Sequence, residues 1–386
     1  MKKAKKQINV LSLFANIGVA EAYLENIGIH VAVANELIKR RADLYQKIYP
    51  QCKMICGDIF SDAVQNQIVA ESQKNNVELI MATPPCQGMS TAGKQDIDDY
   101  RNTLFLPVVK IVKELDPKFV FIENVPLFLQ THISYHGQRE YIIDIIKNEL
   151  GNKYRIECSV ANTADYGVPQ TRERAIILLS RKDQKALWQL PCKDSKIVTM
   201  RDAIGDLPSL DPFVRDVSNS ELLKMFPHYY EKERVALEIS PWNFPPHHVK
   251  RQVEVMVHTP TGQSAFNNPD EFKPKKENGT PVHGYLNTYK RQEWDIPAYT
   301  VTMDNRKISS QNNVHPGRYM GLDENGVAVY SDARALTVYE LMKIMSLPDN
   351  WPIPRTTPAA FLRSIIGEGI PPLFVKKVFE NLMRQL

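Results

Sequence analysis

The sequence predicts an α/β protein: a doubly wound, mostly parallel sheet followed by a second, smaller and irregular domain. Between residues 8 and 180, short apolar runs alternate with amphipathic stretches. That is the pattern of strands joined by helices in a parallel sheet. From about Leu190 the alternation stops, prolines become frequent, and aromatic residues mix with Lys, Arg, Asn and His. The chain has 386 residues, more than one hydrophobic core usually fills.

The strand candidates, in order, are Ile8–Phe14, Val31–Ala34, Lys53–Cys56, Glu78–Met81, Phe119–Ile122, Ile156–Ala161 and Ala175–Leu179. Between them, Val19–Ile27 has apolar residues at helical spacing and ends at Gly28, a residue suited to a left-handed helix cap. Glu140–Leu150 follows the same pattern and ends at Gly151. Leu104 to Val112 reads as a buried helix, and Leu373 to Leu382 as an amphipathic one at the C-terminus.

Composition excludes several classes. At 43% apolar and 24% charged residues, the chain is ordinary for a globular protein. No run reaches the roughly eighteen apolar residues of a membrane span. The basic start, Met1 to Lys6, leads into a strand pattern rather than a signal core, and reads as a solvated tail. A net charge of +4 is too mild to argue for a nucleic-acid partner by itself. Five irregularly spaced cysteines argue against a disulfide framework and for a reduced, cytoplasmic setting. Cys52 and Cys56, and the histidines at 228, 247, 248 and 258, lack the spacing of a zinc site, so no metal is expected.

Chemistry-bearing residues concentrate where predicted strands end. Phe14-Ala15-Asn16-Ile17-Gly18 forms a small-residue turn after strand one, where a cofactor could approach backbone and helix N-terminus. Strand two ends at Glu36, and strand three is followed by Asp58-Ile59. Acids at these ends suit a ribose and an adenine, so together they suggest an adenosine-containing cofactor. Strand four runs into Thr83-Pro84-Pro85-Cys86-Gln87, a lone thiol on a proline-stiffened turn. The polar stretch from Gly88 to Asn102 is long enough to act as a lid. Glu123 follows four apolar residues, so burial would raise its pKa toward neutrality. Arg172 and Arg174 share one face of an extended segment and could clamp a carbonyl oxygen or phosphate, or form surface ion pairs. Beyond residue 240, aromatic residues such as Trp242, Tyr285 and Trp294 interleave with lysines and arginines, as on nucleic-acid surfaces and in irregular small domains alike.

In this order, the set resembles the DNA (cytosine-5)-methyltransferases of bacterial restriction–modification systems. Pro85-Cys86-Gln87 is similar to their nucleophile motif, Arg101 to Phe105 to the cofactor-side motif after it, Glu123-Asn124-Val125 to the catalytic-acid motif, and Gln170 to Arg174 to the paired-arginine motif. Arg201 to Pro208 and Ala335 to Asp349 resemble the segments that open and close the variable region, and Gly367 to Pro372 the motif that returns to the cofactor domain. The resemblance implies a Rossmann-like fold that binds S-adenosylmethionine, with residues 1–189 catalytic, 190–350 reading the target, and 351–386 returning to the first domain. It implies Cys86, Glu123, Arg172 and Arg174 as catalytic residues, with Gln87, Ser90 and Gln170 on the substrate. Phe14, Asn16, Ile17, Gly18, Glu36, Asp58, Ile59, Pro85, Leu104, Glu368 and Ile370 would hold the cofactor. The implied partner is duplex DNA, bound by a monomer, with a cognate endonuclease acting separately. Three positions depart from the pattern: Asn16 stands where glycine is usual, Glu368 where asparagine is usual, and Tyr339 where arginine is usual. Rival readings are a tRNA cytosine methyltransferase, a DNA-binding protein without catalysis, and a nicotinamide-dependent oxidoreductase. The absence of GxGxxG and the presence of Pro-Pro-Cys oppose the last.

Overall fold

The computed structural model describes residues 7–85 and 100–386. The N-terminal tail, Cys86, Gln87, Ser90 and most of the expected lid lie outside the described residues. All seven predicted strands are present, and they form a single sheet: β1 (Ile8–Leu13), β2 (Ile29–Glu36), β3 (Lys53–Cys56), β4 (Leu79–Ala82), β5 (Phe119–Asn124), β8 (Tyr154–Asn162) and β9 (Glu173–Arg181). Between β5 and β8 a small separate hairpin is formed by β6 (His132–Tyr135) and β7 (Gln138–Tyr141). The order in the main sheet is β3-β2-β1-β4-β5-β9-β8. The first five strands are parallel, and β9 runs antiparallel to both β5 and β8.

Alternation along each strand feeds two cores. Leu11, Val33, Ile80, Val120 and Ile122 point to one face, where α3 (Phe105–Leu115) and α4 (Ile142–Leu150) cover them. Val10, Leu79, Met81, Phe119 and Phe121 point to the other, where Trp188 and the last helix, α11 (Pro372–Met383), close over them. Phe374, Val378 and Phe379 are wholly enclosed there, and Trp188 Nε1 donates to the Val378 carbonyl at 3.0 Å. Each such side chain contributes about 1.5–3 kcal/mol of burial, enough to hold the chain's end against strands formed from its beginning.

Three local expectations are corrected. Val19–Ile27 is not an α-helix but a run of turns closing in a 3₁₀ turn, Glu25–Ile27, with Gly28 left-handed as expected. Its apolar residues divide between cores: Val19 packs in one cluster and Ala20 and Leu24 in another. Gly151 ends α4 in a right-handed conformation, so it is not a left-handed cap. Gly367 and Glu368 belong to an unanticipated helix, α10 (Ala359–Glu368), which stops before Ile370-Pro371.

Between residues 213 and 333 a further hydrophobic cluster forms from short helices and isolated bridges, centred on Leu222, Val253, Met256, Ile308 and Val314. The two ends of this stretch are stapled together. Asp332 accepts from the backbone N–H of Leu210 at 2.8 Å and from Ser209 Oγ at 3.0 Å. Arg334 donates through Nε to the Leu210 carbonyl at 2.8 Å and through both terminal nitrogens to Glu340, each at 2.8 Å. Arg334, Asp332 and Glu340 are fully buried. Burial disfavours the Arg334 charge, but Glu340 and Asp332 outweigh it and push its pKa up.

Candidate active site

Register aligns the carboxyl ends of the parallel strands. Leu13 pairs with both Asn35 and Ala82, and Glu36 pairs with Cys56. Phe14, Glu36, Gly57 and Thr83 therefore lie along one edge of the sheet, the edge where open α/β sheets place their ligands.

The turn after β1 is held in an uncommon shape. Phe14, Asn16 and Gly18 all have positive φ, at 59°, 52° and 83°. The two non-glycine residues carry a cost of order 1 kcal/mol each, which neighbouring bonds offset. Ala15 N–H donates to the Asn35 carbonyl at 2.9 Å, and Asn16 N–H donates to Glu36 Oε2 at 2.9 Å. Gly18 must be glycine for a second reason: a Cβ there would lie 2.1 Å from the Tyr49 ring. The Tyr49 hydroxyl donates to the Gly18 carbonyl at 2.5 Å.

Several residues expected to line a cofactor site share this edge. Glu36 is buried and accepts from two backbone N–H groups, those of Asn16 and Ile38. Asp58 is exposed and accepts from the Phe60 N–H at 2.9 Å. Glu368 reaches the turn from α10: its Oε2 accepts from Asn16 Nδ2 at 3.3 Å. Ile17, Ile59 and Ile370 are buried in three different hydrophobic clusters, so their side chains serve the scaffold. Leu104 is likewise buried, at the start of α3. An adenosine cofactor fits this donor set. Carboxylates stand at the ends of β2 and β3, and Asn16 Oδ1 is buried with no hydrogen-bond partner among the described residues.

Next along the edge, the turn that leads to Cys86 is pinned from two sides. Thr83 N–H donates to the Leu13 carbonyl and Thr83 Oγ1 to that of Phe14, both at 3.3 Å. Asn124 Nδ2 donates to the Pro84 carbonyl at 3.1 Å. Asn124 thus fixes the turn beside Glu123.

Glu123 and Arg174 meet. Glu123 is opposite Ile176 across the β5–β9 ladder, and Arg174 lies two residues further along β9, so both project from the same face. Arg174 Nε contacts Glu123 Oε1 at 2.7 Å, with both side chains largely buried. Burial raises the Glu123 pKa, and although Arg174 and Arg172 pull it down, it stays above the ordinary carboxylate range.

Two other expected site residues, Arg172 and Gln170, make bonds to distant segments of the chain. Arg172 donates to the carbonyls of Val301 at 2.8 Å, Gly367 at 2.9 Å and Glu368 at 3.4 Å. Gln170 is fully buried: its Oε1 accepts from Val301 N–H at 3.1 Å and its Nε2 donates to Met345 Sδ at 2.9 Å. These side chains tie residues 298–302 and the end of α10 to the start of β9. The clamp is tight at Gly367, where a Cβ would lie 2.1 Å from the Thr302 carbonyl oxygen. Nothing in the spacing of residues 298–302 marks them as part of this edge. Their bonds to Pro169, Thr171 and Arg172 are made by the backbone of Ala298 and Val301 and by the Thr300 hydroxyl, which donates to the Thr171 carbonyl at 2.7 Å.

Residues 8–384 match the sequence model of the C-5 cytosine-specific DNA methylases. The chain belongs to this family. It is a DNA (cytosine-5)-methyltransferase, and its buried Glu123–Arg174 pair lies where the family resemblance put an acid and an arginine. This methylase is 44% identical to the type II methyltransferase M1.HgaI of Avibacterium volantium, over 99% of each chain. It is 27% identical to the type II methyltransferase M1.HphI of Haemophilus parahaemolyticus, over 98% of this chain and 87% of the relative. Among solved structures, a prophage-encoded E. coli protein described as a DNA modification methyltransferase aligns over 98% of this chain and 99% of its own. Its TM-score is 0.67 at 20% identity. Entamoeba histolytica methyltransferase EhMeth aligns over 98% of both chains, with a TM-score of 0.59 at 17% identity. These two show the same fold as this methylase.

Proposed function

We propose that the enzyme transfers a methyl group from S-adenosylmethionine to C5 of a cytosine flipped out of a specific duplex DNA sequence, through a transient bond between Cys86 and C6. The observation that carries this reading is the buried Glu123–Arg174 pair beside the pinned Pro84 turn, which runs on in sequence into Pro85 and Cys86.

C5 of cytosine is a poor nucleophile until something adds at C6. The Cys86 thiolate adds there. Glu123, with its raised pKa, holds a proton for N3 and accepts from the exocyclic amine, so that negative charge does not build on the ring. Arg174 turns to the O2 oxygen of the base. Arg172 acts at one remove, by holding the end of α10 and residues 298–302 in place. S-adenosylmethionine supplies the electrophilic methyl group when bound, with Glu36, Asp58, Asn16 and Glu368 as its polar neighbours. After transfer the C5 proton leaves and Cys86 is released from C6. A base stacked in a duplex has to leave the helix to reach an enclosed pair such as this, and the residues 88–102 segment would close behind it.

Residues 190–350 read the target, and 351–386 belong with the catalytic part. A cleft of about 580 Å³ supports a DNA-facing role: Arg215, Arg306, Lys307 and Arg251, the last paired with Glu277 at 3.4 Å, line it around Phe244. Phosphates are the natural counterions of such a surface. By likeness to M1.HgaI, named as a type II methyltransferase, the enzyme serves a type II restriction–modification system; a cytoplasmic monomer whose endonuclease acts separately goes with that proposal.

Duplex DNA with 5-fluorocytosine at the target should trap a covalent adduct through Cys86, because fluorine cannot leave as a proton does. Mass spectrometry of the tryptic Cys86 peptide reads it; an active enzyme that forms no adduct contradicts the covalent route. Methyl transfer to tRNA and not to duplex DNA would overturn the choice of polymer.

The raised pKa of Glu123 sets a pH dependence. A carboxyl that must be protonated to act loses activity as pH rises through its pKa. We therefore expect kcat/KM of the wild-type enzyme to fall on the alkaline side, above the usual carboxylate range. Glu123→Gln should be slow throughout and should lack that limb. The same sign holds for stability: the folded state binds the proton more tightly than the unfolded one, so this group's contribution declines as pH rises through that window. An unchanged limb in Glu123→Gln would assign it to another group.

A further inference from the structure

Two of the three positions that depart from the family pattern are in contact with each other. Asn16, in the turn after β1, and Glu368, at the end of α10, are 352 residues apart and joined by the bond from Asn16 Nδ2 to Glu368 Oε2. A third residue completes the set. Arg41, on α1 (Lys39–Ile48), grips the same carboxylate with both terminal nitrogens, Nη1 to Oε2 at 2.8 Å and Nη2 to Oε1 at 2.9 Å. The arginine and glutamate side chains are 21% and 18% exposed, so solvent screens the pair only in part.

Chemistry explains why the three occur together. Burial raises the pKa of the acid at 368, and the nearby Glu36 carboxylate adds a smaller repulsion in the same direction. Arg41 neutralises this acid. An asparagine at 16 needs an acceptor for its amide N–H, which Glu368 supplies. With the amide nitrogen held there, the other end of the group is fixed as well. That end, Oδ1, is buried and without a hydrogen-bond partner among the described residues. A buried acceptor without a donor destabilises the fold, unless a ligand provides the donor.

We propose that Arg41 is a positioning residue of the cofactor site: its pairing with Glu368 holds that carboxylate on the Asn16 amide, and so presents Asn16 Oδ1 to an N–H or O–H donor of the bound cofactor. The proposal rests on the reading of this edge as the S-adenosylmethionine site. S-adenosylmethionine has two kinds of donor that could serve, the α-ammonium of its amino-acid half and the ribose hydroxyls.

Calorimetric binding of S-adenosylmethionine and of 5′-methylthioadenosine, which lacks the amino-acid half, tests this in the full chain. Arg41→Gln should weaken S-adenosylmethionine about tenfold, the scale of one charge-assisted hydrogen bond. The double variant Arg41→Gln/Glu368→Gln should recover to within about threefold, because no charge is left uncompensated and a glutamine carbonyl can still accept from Asn16. In an Asn16→Gly background, Arg41→Gln should cost less than about twofold, since the group it orients is gone. KM for S-adenosylmethionine should rise while kcat stays near the wild-type value. An Arg41→Gln effect of equal size with and without Asn16 would overturn the proposal and leave Arg41 a structural residue. If 5′-methylthioadenosine binding is untouched in Arg41→Gln, the donor is the ammonium; if it falls in parallel, the donor is a ribose hydroxyl. If the wild-type chain binds neither compound, it is the cofactor reading that fails. Should Arg41→Gln fold poorly, Glu368→Ala, which removes the acceptor of the Asn16 amide, carries the same comparison, with its effect again expected to vanish beside Asn16→Gly.

Discussion

Cys86→Ser should lower methyl transfer to duplex DNA by at least about a thousandfold, while S-adenosylmethionine still binds. The expectation follows from what serine lacks. A hydroxyl is far less acidic than a thiol and a poorer nucleophile toward C6, so the addition that activates C5 is lost. The surroundings should survive, because Thr83 and Asn124 hold the turn through the Leu13, Phe14 and Pro84 carbonyls. Methyl incorporation into duplex DNA and calorimetric cofactor binding, measured on one preparation, check both halves. Retained turnover in Cys86→Ser would remove the nucleophile from the mechanism.

Arg334→Met should destabilise the fold by about 3–5 kcal/mol, the cost of removing one partner from a buried ion pair. Arg334 serves Glu340, Asp332 and the Leu210 carbonyl at once. Methionine fills much of the volume but leaves two enclosed carboxylates without their cation. Both ends of the 210–333 stretch depend on these bonds, so loss of duplex binding should accompany the loss of stability. Arg334→Lys should rescue little, since one ammonium cannot form the paired contact with Glu340 and also reach Leu210. Denaturant unfolding followed by tryptophan fluorescence measures the change; a variant within about 1 kcal/mol of wild type would show that the network is neutral to stability.

The sheet was legible because strand burial and strand sequence have the same period. Phe119 to Ile122 is apolar on both faces, as a strand covered on both sides has to be, and it lies in the middle of the sheet. Val19–Ile27 misled for a related reason. Its apolar spacing is real, but those residues pack into separate cores, and a turning backbone meets that demand as well as a helix does. In the site, Glu123 and Arg174 could be placed from the ends of their strands. Gln170 and Arg172 could not, because apart from Met345 Sδ the groups they hold are the Val301 N–H and the carbonyls of Val301, Gly367 and Glu368, and such backbone groups carry no mark of residue type.

The sequence by itself determined the seven strands, the strand-end positions of Glu36, Asp58, Glu123 and Arg174, and the family, since these depend on local patterns and ordered motifs. Tertiary structure alone decided that Asn16, Arg41 and Glu368 form one contact, that Asn124 holds the Pro84 turn, and that Arg334 closes the 210–333 stretch. Each of these joins residues distant in sequence through a charge or an amide, and such groups leave no periodic trace along the chain. Only folding reveals which of them share one buried space.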